Sequence, residues 1–169
     1  DIGGFEYIAA ADTTAPTYDT APAVSSVAAK TVTVGATASD ETDADVDHYA
    51  VLIADGGPAP SAAQVIAGTD GSDVAALAAG SDLAVANGTA GSIALEGPEY
   101  STAYDLYYTV VDDSDNAPAP SLLEATTEAQ AAPVLTAATA TATGETTADG
   151  AVDTDTGEGT LYWVLTQSA

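Results

Sequence analysis

The sequence contains no cysteine, no methionine and no arginine; Lys30 is its one basic side chain and His48 its one histidine. Without cysteine there are no disulfide staples, thiolate metal sites or thiol catalysis, and the redox compartment is left open. A lone histidine builds no imidazole metal cluster. Against one lysine stand 26 Asp and Glu, a formal net charge of -25. Nothing is present to neutralise phosphates, which excludes nucleic-acid binding and electrostatic attraction to an anionic membrane. No apolar run approaches the roughly 20 residues of a membrane-spanning helix. The chain begins at Asp1 with neither a methionine nor a signal-peptide pattern, as expected of a processed product or a segment of something longer.

What the chain has in quantity is alanine, 39 residues of 169, against 30 of Leu, Ile, Val and Phe together. That proportion, with such a charge, borders on the composition of disordered chains; the order of the residues argues for a fold. The length suits one domain of about 100 residues plus a partial one. Self-repulsion of this size is relieved by counterions, as in sea water, brine or a calcium-rich exterior. Alternatively, the acidic surface simply keeps an extracellular protein in solution.

Short segments alternate apolar and polar residues between Gly, Pro, Asp and Asn. Val32 and Val34 alternate with threonines, and Tyr49, Val51 and Ile53 mark a stripe through 48–54. Leu83 and Val85 precede the turn signal Asn87-Gly88, with Ile93 and Leu95 after it. Tyr104, Leu106, Tyr108 and Val110 form the longest stripe, set against Asp105, Tyr107 and Thr109. Period two puts each set on one face of a strand. Strands are predicted near 22–28, 31–39, 48–55, 81–86, 91–96, 103–111 and 121–127, which indicates an all-β sandwich or barrel. The one helical stretch, 61–68, has Ser61 as N-cap, Gln64 as its capping-box partner and Gly68 as a stop. Alanines at inward positions are expected to let the two sheets approach, with Tyr and Val filling the space between.

The chain also repeats itself. Thr31–Asp40 aligns with Thr146–Asp155, His48–Leu52 with Leu161–Leu165, and Pro22 and Pro133 open the two copies. A period of this size indicates tandem domains. The second copy reaches only its third strand by Ala169, and half a sandwich has an uncovered apolar face. Its remaining strands are expected either in further chain or from another subunit by strand addition. The expected organisation is an N-terminal segment or end of a preceding element at 1–14, a complete sandwich at 15–130, and the first half of a second at 131–169.

Six stretches carry a family resemblance. Ala94-Leu95-Glu96-Gly97, Thr102–Tyr107 and Val110–Asn116 together resemble the second half of a fibronectin type III-like repeat. Asp12–Pro16 is similar to the opening of bacterial immunoglobulin-like repeats. The run Ala59–Gly68 resembles an insertion in such repeats of large bacterial surface proteins and tailed-phage virion proteins, and Gly157–Thr166 resembles their third strand. The resemblance implies an immunoglobulin/fibronectin III-like β-sandwich of seven strands. It also implies a non-enzymatic structural and interaction module of an extracellular assembly: a phage virion fibre, tail or head-decoration protein. The alternatives are a repeat of a bacterial cell-surface adhesin or self-assembling appendage, and a carbohydrate-binding accessory module, which would need a planar row of exposed aromatics. Expected partners are other copies of the chain, other subunits of a virion or surface assembly, or a host-surface ligand.

Carboxylates are the densest chemistry. Asp40, Glu41, Asp43, Asp45 and Asp47 lie between and into the second and third strands, and Asp112, Asp113, Asp115 and Asn116 follow the sixth. In a sandwich these connections emerge at one pole. Asp40, Asp43, Asp45, Asp47, Asp112, Asp113 and Asp115 are therefore candidate calcium ligands, with Asp12 approaching from the incoming chain. The alternative is a pair of solvated turns. Asp153, Asp155 and Glu158 are the corresponding group in the second copy. A glycosidase would need one of two carboxylates in a dry pocket, and serine catalysis a histidine beside the serine; neither arrangement is expected here. His48 is read as structural or superficial, at the start of an edge-facing strand. Tyr104 is placed to tie its corner to nearby backbone, whereas Tyr107 and Tyr100 are expected at the surface. Phe5, Tyr7 and Ile8, with Tyr162 and Val164, are candidate interface residues, the first three as the end of a preceding domain or a strand lent to a neighbour.

Overall fold

A computed structural model describes residues 11–96, 99–129, 135–143 and 148–154. The chain divides into two compact units, Asp1–Gln130 and Ala131–Ala169. The first contains β1 (Thr17–Val27), β2 (Thr31–Ser39), β3 (Asp45–Ala54), α1 (Ala62–Ala67), β4 (Ala78–Ala86), β5 (Ala90–Glu96), β6 (Ala103–Val111) and β7 (Ser121–Thr126). They form two antiparallel sheets, ordered β1-β2-β5 and β4-β3-β6-β7.

The core lies between these layers. From one side come Val32, Val34, Ala36 and Ala38 of β2 with Ile93 and Leu95 of β5; from the other come Val46, Ala50 and Leu52 of β3 with Tyr104, Leu106, Tyr108 and Val110 of β6. The period-two stripes of β2 and β6 thus become its two opposing walls. Each large side chain buried here stabilises the fold by roughly 1.5–3 kcal/mol relative to exposure. Alanine is inward at Ala36, Ala38, Ala50 and Ala125. Ala86, Ala90, Ala94 and Ala103 instead lie exposed, so close approach of the sheets accounts for only part of the alanine content.

On β3 the predicted stripe shares one face, and it is the face turned away from the opposite sheet. The core-facing residues of β3 are Val46, His48, Ala50 and Leu52, whereas Val51 and Ile53 face outward. They remain dry because Val65 of α1, with Tyr107 of β6, closes over them as a second cluster. α1 itself begins and ends as its local chemistry dictates. The Ser61 hydroxyl accepts from Gln64 N–H at 3.4 Å, the Gln64 side-chain oxygen accepts from Ser61 N–H at 2.9 Å, and Gly68 ends the helix at φ 74°. That left-handed angle is strained for any residue with a Cβ.

Four strands start earlier than predicted: β1 at Thr17, β3 at Asp45 and β4 at Ala78 by three residues or more, and β5 at Ala90 by one. Register breaks between Tyr18 and Thr20, Thr20 and Ala23, and Val24 and Ser26 interrupt the alternation of β1 and conceal it in the sequence. In β4, Leu83 and Val85 do not share the inward face: Val85 is buried and Leu83 is 56% exposed. The irregularity opposite Val46 and His48 shifts the face, with Ala84 at φ 54°. Its N–H is satisfied by the Asp47 carboxylate at 2.8 Å, a contact that alternation does not encode.

In the second unit, β8 (Leu135–Ala142) and β9 (Ala148–Thr154) pair antiparallel, with a register shift between Thr136 and Thr139. Phe5, Tyr7, Ile8, Asp155, Glu158, Tyr162 and Val164 lie outside the described residues.

Candidate functional site

One pole of the first unit gathers four pieces of chain: the incoming segment with Asp12, the loop between β2 and β3, the Asn87-Gly88 turn between β4 and β5, and the loop after β6. Hydrogen bonds join them. Asn87 is the clip. Its side-chain oxygen accepts from Asp40 N–H at 3.0 Å, and its amide donates to the carbonyls of Asp40 at 2.8 Å and Asp43 at 2.6 Å. The turn passes the chain from one sheet to the other, and its side chain fixes the backbone that carries the acidic residues. The sequence marks Asn87 as a turn residue; its role across 47 residues of chain is visible only in three dimensions.

On that frame, oxygens from Asp12, Asp40 and Asp43 lie within 4.8 Å of one another. Asp40 Oδ1 accepts from Thr42 N–H at 2.8 Å, Thr42 Oγ1 at 2.9 Å and Asp43 N–H at 3.2 Å. Thr42 Oγ1 also stands 2.6 Å from Asp12 Oδ2. A hydroxyl has one proton, so it can serve only one of these two carboxylates at a time. Asp43 Oδ2 accepts from Asp113 N–H at 3.2 Å, and the Asn116 amide reaches the Asp12 carbonyl at 3.3 Å. The loops after β2 and β6 therefore do emerge together, with the incoming chain against them.

The electrostatics divide the three acids. Donation from Thr42, then from Thr14 N–H, holds Asp12 below the ordinary carboxylate value. Asp40 is likewise held low, chiefly by Thr42 N–H. Asp43 is pushed up, first by burial and then by the charges of Asp113, Asp40 and Asp112, against the opposing hydrogen bond from Asp113.

The other candidates are placed elsewhere or are otherwise engaged. Asp112 is buried and closes its own loop, accepting from Ser114 N–H at 2.9 Å, Asn116 N–H at 2.7 Å and the Asn116 amide at 2.9 Å. Asp113 contributes its backbone N–H to Asp43, and Asp115 turns the loop at φ 64°. Asp45 opens β3 opposite Ala86. Asp47 holds the β4 irregularity and accepts from the Tyr49 hydroxyl at 3.3 Å. Asp153 lies in β9 of the second unit.

His48 is fully buried in the centre of the sandwich, on β3 between β4 and β6, and so is neither superficial nor on an edge. Its Nδ1 is hydrogen-bonded to the Tyr108 hydroxyl, and its Nε2 is buried without a partner. Gly91 makes the room: a Cβ there would lie 2.6 Å from Nδ1. Burial lowers the His48 pKa, with partial opposition from Asp82 and Asp47. Tyr104 ties its corner as expected, its hydroxyl accepting from Glu99 N–H at 2.6 Å. Tyr107, expected outside, is buried beneath α1; Tyr100 is half-buried, with Lys30 Nζ 4.8 Å from its ring centre. None of the described tyrosines is exposed, so these rings form no aromatic row for a sugar. No family model, curated protein or solved structure matches the chain.

Proposed function

We propose that the chain is a non-enzymatic structural and interaction module of an extracellular assembly, built from immunoglobulin/fibronectin III-like sandwiches in series. The observation that carries this reading is the arrangement of the first unit: seven strands closed three over four around one core. In the immunoglobulin constant arrangement the fourth strand lies beside the fifth. Here β4 lies beside β3, which favours the fibronectin III side of the resemblance. The second unit supports the serial plan, since β8 and β9 pair antiparallel as β1 and β2 do, and the sequence alignment sets β9 against β2.

The acidic composition supports an exterior location, where salt screens the charge. The virion fibre, tail or head-decoration reading, and its alternative of a bacterial surface repeat, rest on the sequence resemblance. Such modules act by holding geometry and presenting surface, and one sandwich fold serves many different roles. Gold-labelled antibody against residues 11–129 tests the assignment. It is expected to decorate the outside of intact particles or cells, and label confined to the interior of permeabilised cells would overturn it.

A further inference from the structure

We infer that β4 is a docking edge, where an extended basic segment of a partner protein adds as a further strand and lays one apolar side chain in the groove beside α1. Among the described residues β4 ends its sheet, paired with β3 on one side and with no strand on the other. An open edge presents a row of backbone donors and acceptors that folded proteins ordinarily blunt. β1 is blunted by its three register breaks, and at β5 the Ser92 N–H is occupied by the Asp82 carboxylate at 2.9 Å. β4 becomes irregular only past Asp82, where Ala84 N–H turns to Asp47. From Ala78 to Ser81 its pairing with β3 is regular, and that stretch of edge stands open.

A groove and a set of exposed apolar side chains fall at the same place. Between the end of α1 and β4 lies a groove of about 250 Å³, lined by Tyr49, Val65, Ile66, Gly68, Ala79 and Ser81. That is below the range of about 300–1,000 Å³ for small-molecule sites, and it suits a single side chain. Large apolar residues are scarce in this sequence. Yet four of the five exposed ones among the described residues are Ile66 of α1, Val74 and Leu77 of the following loop, and Leu83 of β4. Ala76 N–H bonds to the Gly68 carbonyl at 3.0 Å and Leu77 N–H to the Leu52 carbonyl at 2.9 Å, so the loop returns past the end of α1 straight into β4. Exposed apolar side chains scattered singly need no partner; grouped along an open strand edge they mark a contact surface.

Charge selects the occupant. Asp82 lies in β4, Asp47 holds Ala84 of β4, and Asp70 and Asp73 stand in the loop between α1 and β4, the latter 2.7 Å from the Gln64 amide of α1. No basic side chain accompanies them, since the chain's one lysine, Lys30, is placed beside Glu99. Like charges facing each other across an interface are costly, so a second acidic copy is a poor match and a segment bearing Lys or Arg a good one. Main-chain bonds to Ala78–Ser81 supply affinity, and the groove selects an apolar residue at the position beside Ala79. The inference rests on the reading of the chain as an interaction module and names the chemistry of its partner. It is tested by binding alone, so its failure leaves the exterior location to its own test.

The test is amide-resolved magnetic resonance of the isotope-labelled full chain, titrated with the peptide Lys-Val-Lys-Leu-Lys-Val-Lys in 150 mM sodium chloride. Saturable shifts are expected at 78–82 and at Ile66 and Gly68. The same peptide N-methylated throughout keeps its charges and side chains but has no main-chain donor, and should bind at least about tenfold more weakly. Ala79→Lys, at an exposed position, places a cation in the groove and should weaken binding at least about tenfold with the circular dichroism unchanged. The N-methylated peptide keeps the test valid should that variant not fold. Equal affinity for the two peptides, or shifts spread over the acidic loops and absent from 78–82, would overturn the proposal. Shifts at 78–82 on concentrating the protein without peptide would make a second copy the occupant, and would overturn it too.

Discussion

At the scale of single residues, His48 is the point where the sandwich is sensitive to acid. Its imidazole is enclosed between Tyr108 and Gly91, and burial holds its pKa below the ordinary histidine value. The folded state therefore binds fewer protons than the unfolded chain over that window. Its contribution is undiminished above the unfolded pKa of about 6.5, and stability falls as pH drops through that value towards the lower folded one. Thermal melts from pH 7.5 to 5.5 should show a decline in wild type that is flattened in His48→Gln. A second residue-level expectation concerns Asn87. Asn87→Ala leaves Asp40 N–H and the carbonyls of Asp40 and Asp43 without their clip, at a cost of about 2 kcal/mol in urea denaturation. Tyr104→Phe removes only the bond to Glu99 N–H and should cost about 1 kcal/mol. Tyr104 was legible in the sequence because its place at the start of β6 defines the corner. His48 was not, because a polar residue in an alternating segment gives no sign of which face is buried.

At the scale of elements, what could be read from the sequence was what local chemistry controls. The caps of α1 were readable because Ser61, Gln64 and Gly68 act within one helical turn of each other. The stripe of β2 was readable because it alternates over nine residues, and that of β6 because Tyr104, Leu106, Tyr108 and Val110 fall at every second position even though both of its faces are buried. β3 defeated the same rule: buried on one face by the facing sheet and on the other by α1, it presents apolar residues at both phases. The stripe Tyr49, Val51, Ile53 does share one face, and that face lies under α1 instead of towards the facing sheet. Leu83 was misplaced for another reason, since the irregularity in β4 depends on the Asp47 carboxylate of the neighbouring strand. Mutations at the two positions should separate these environments. Val51→Ala opens a cavity under α1 and should cost about 2 kcal/mol, while Leu83→Thr, on the exposed side, should stay within about 0.5 kcal/mol. Of the acidic site, the sequence brought the right loops to one pole but could not distinguish Asp112, which closes its own loop, from Asp40, whose Oδ2 has no partner.

At the scale of the whole molecule, the charge of -25 is the dominant fact. Among the described residues one ion pair is present, Lys30 with Glu99 at 3.9 Å, both side chains substantially exposed. Carboxylates this numerous are thus left to hydrogen bonds and to solvent ions. Raising sodium chloride from 10 mM to 1 M shortens the screening length from about 30 Å to about 3 Å. The melting temperature should therefore rise with salt, and scanning calorimetry would show it. All of these expectations depend on the two sheets facing each other across one core. That is tested most directly by nuclear Overhauser contacts between the layers in the isotope-labelled chain. Contacts are expected from the Gly91 α-protons to the His48 ring, and between the rings of Tyr18 and Tyr108, whose centres are 6.4 Å apart. Strand-to-strand contacts within each sheet without any of these between the sheets would contradict it.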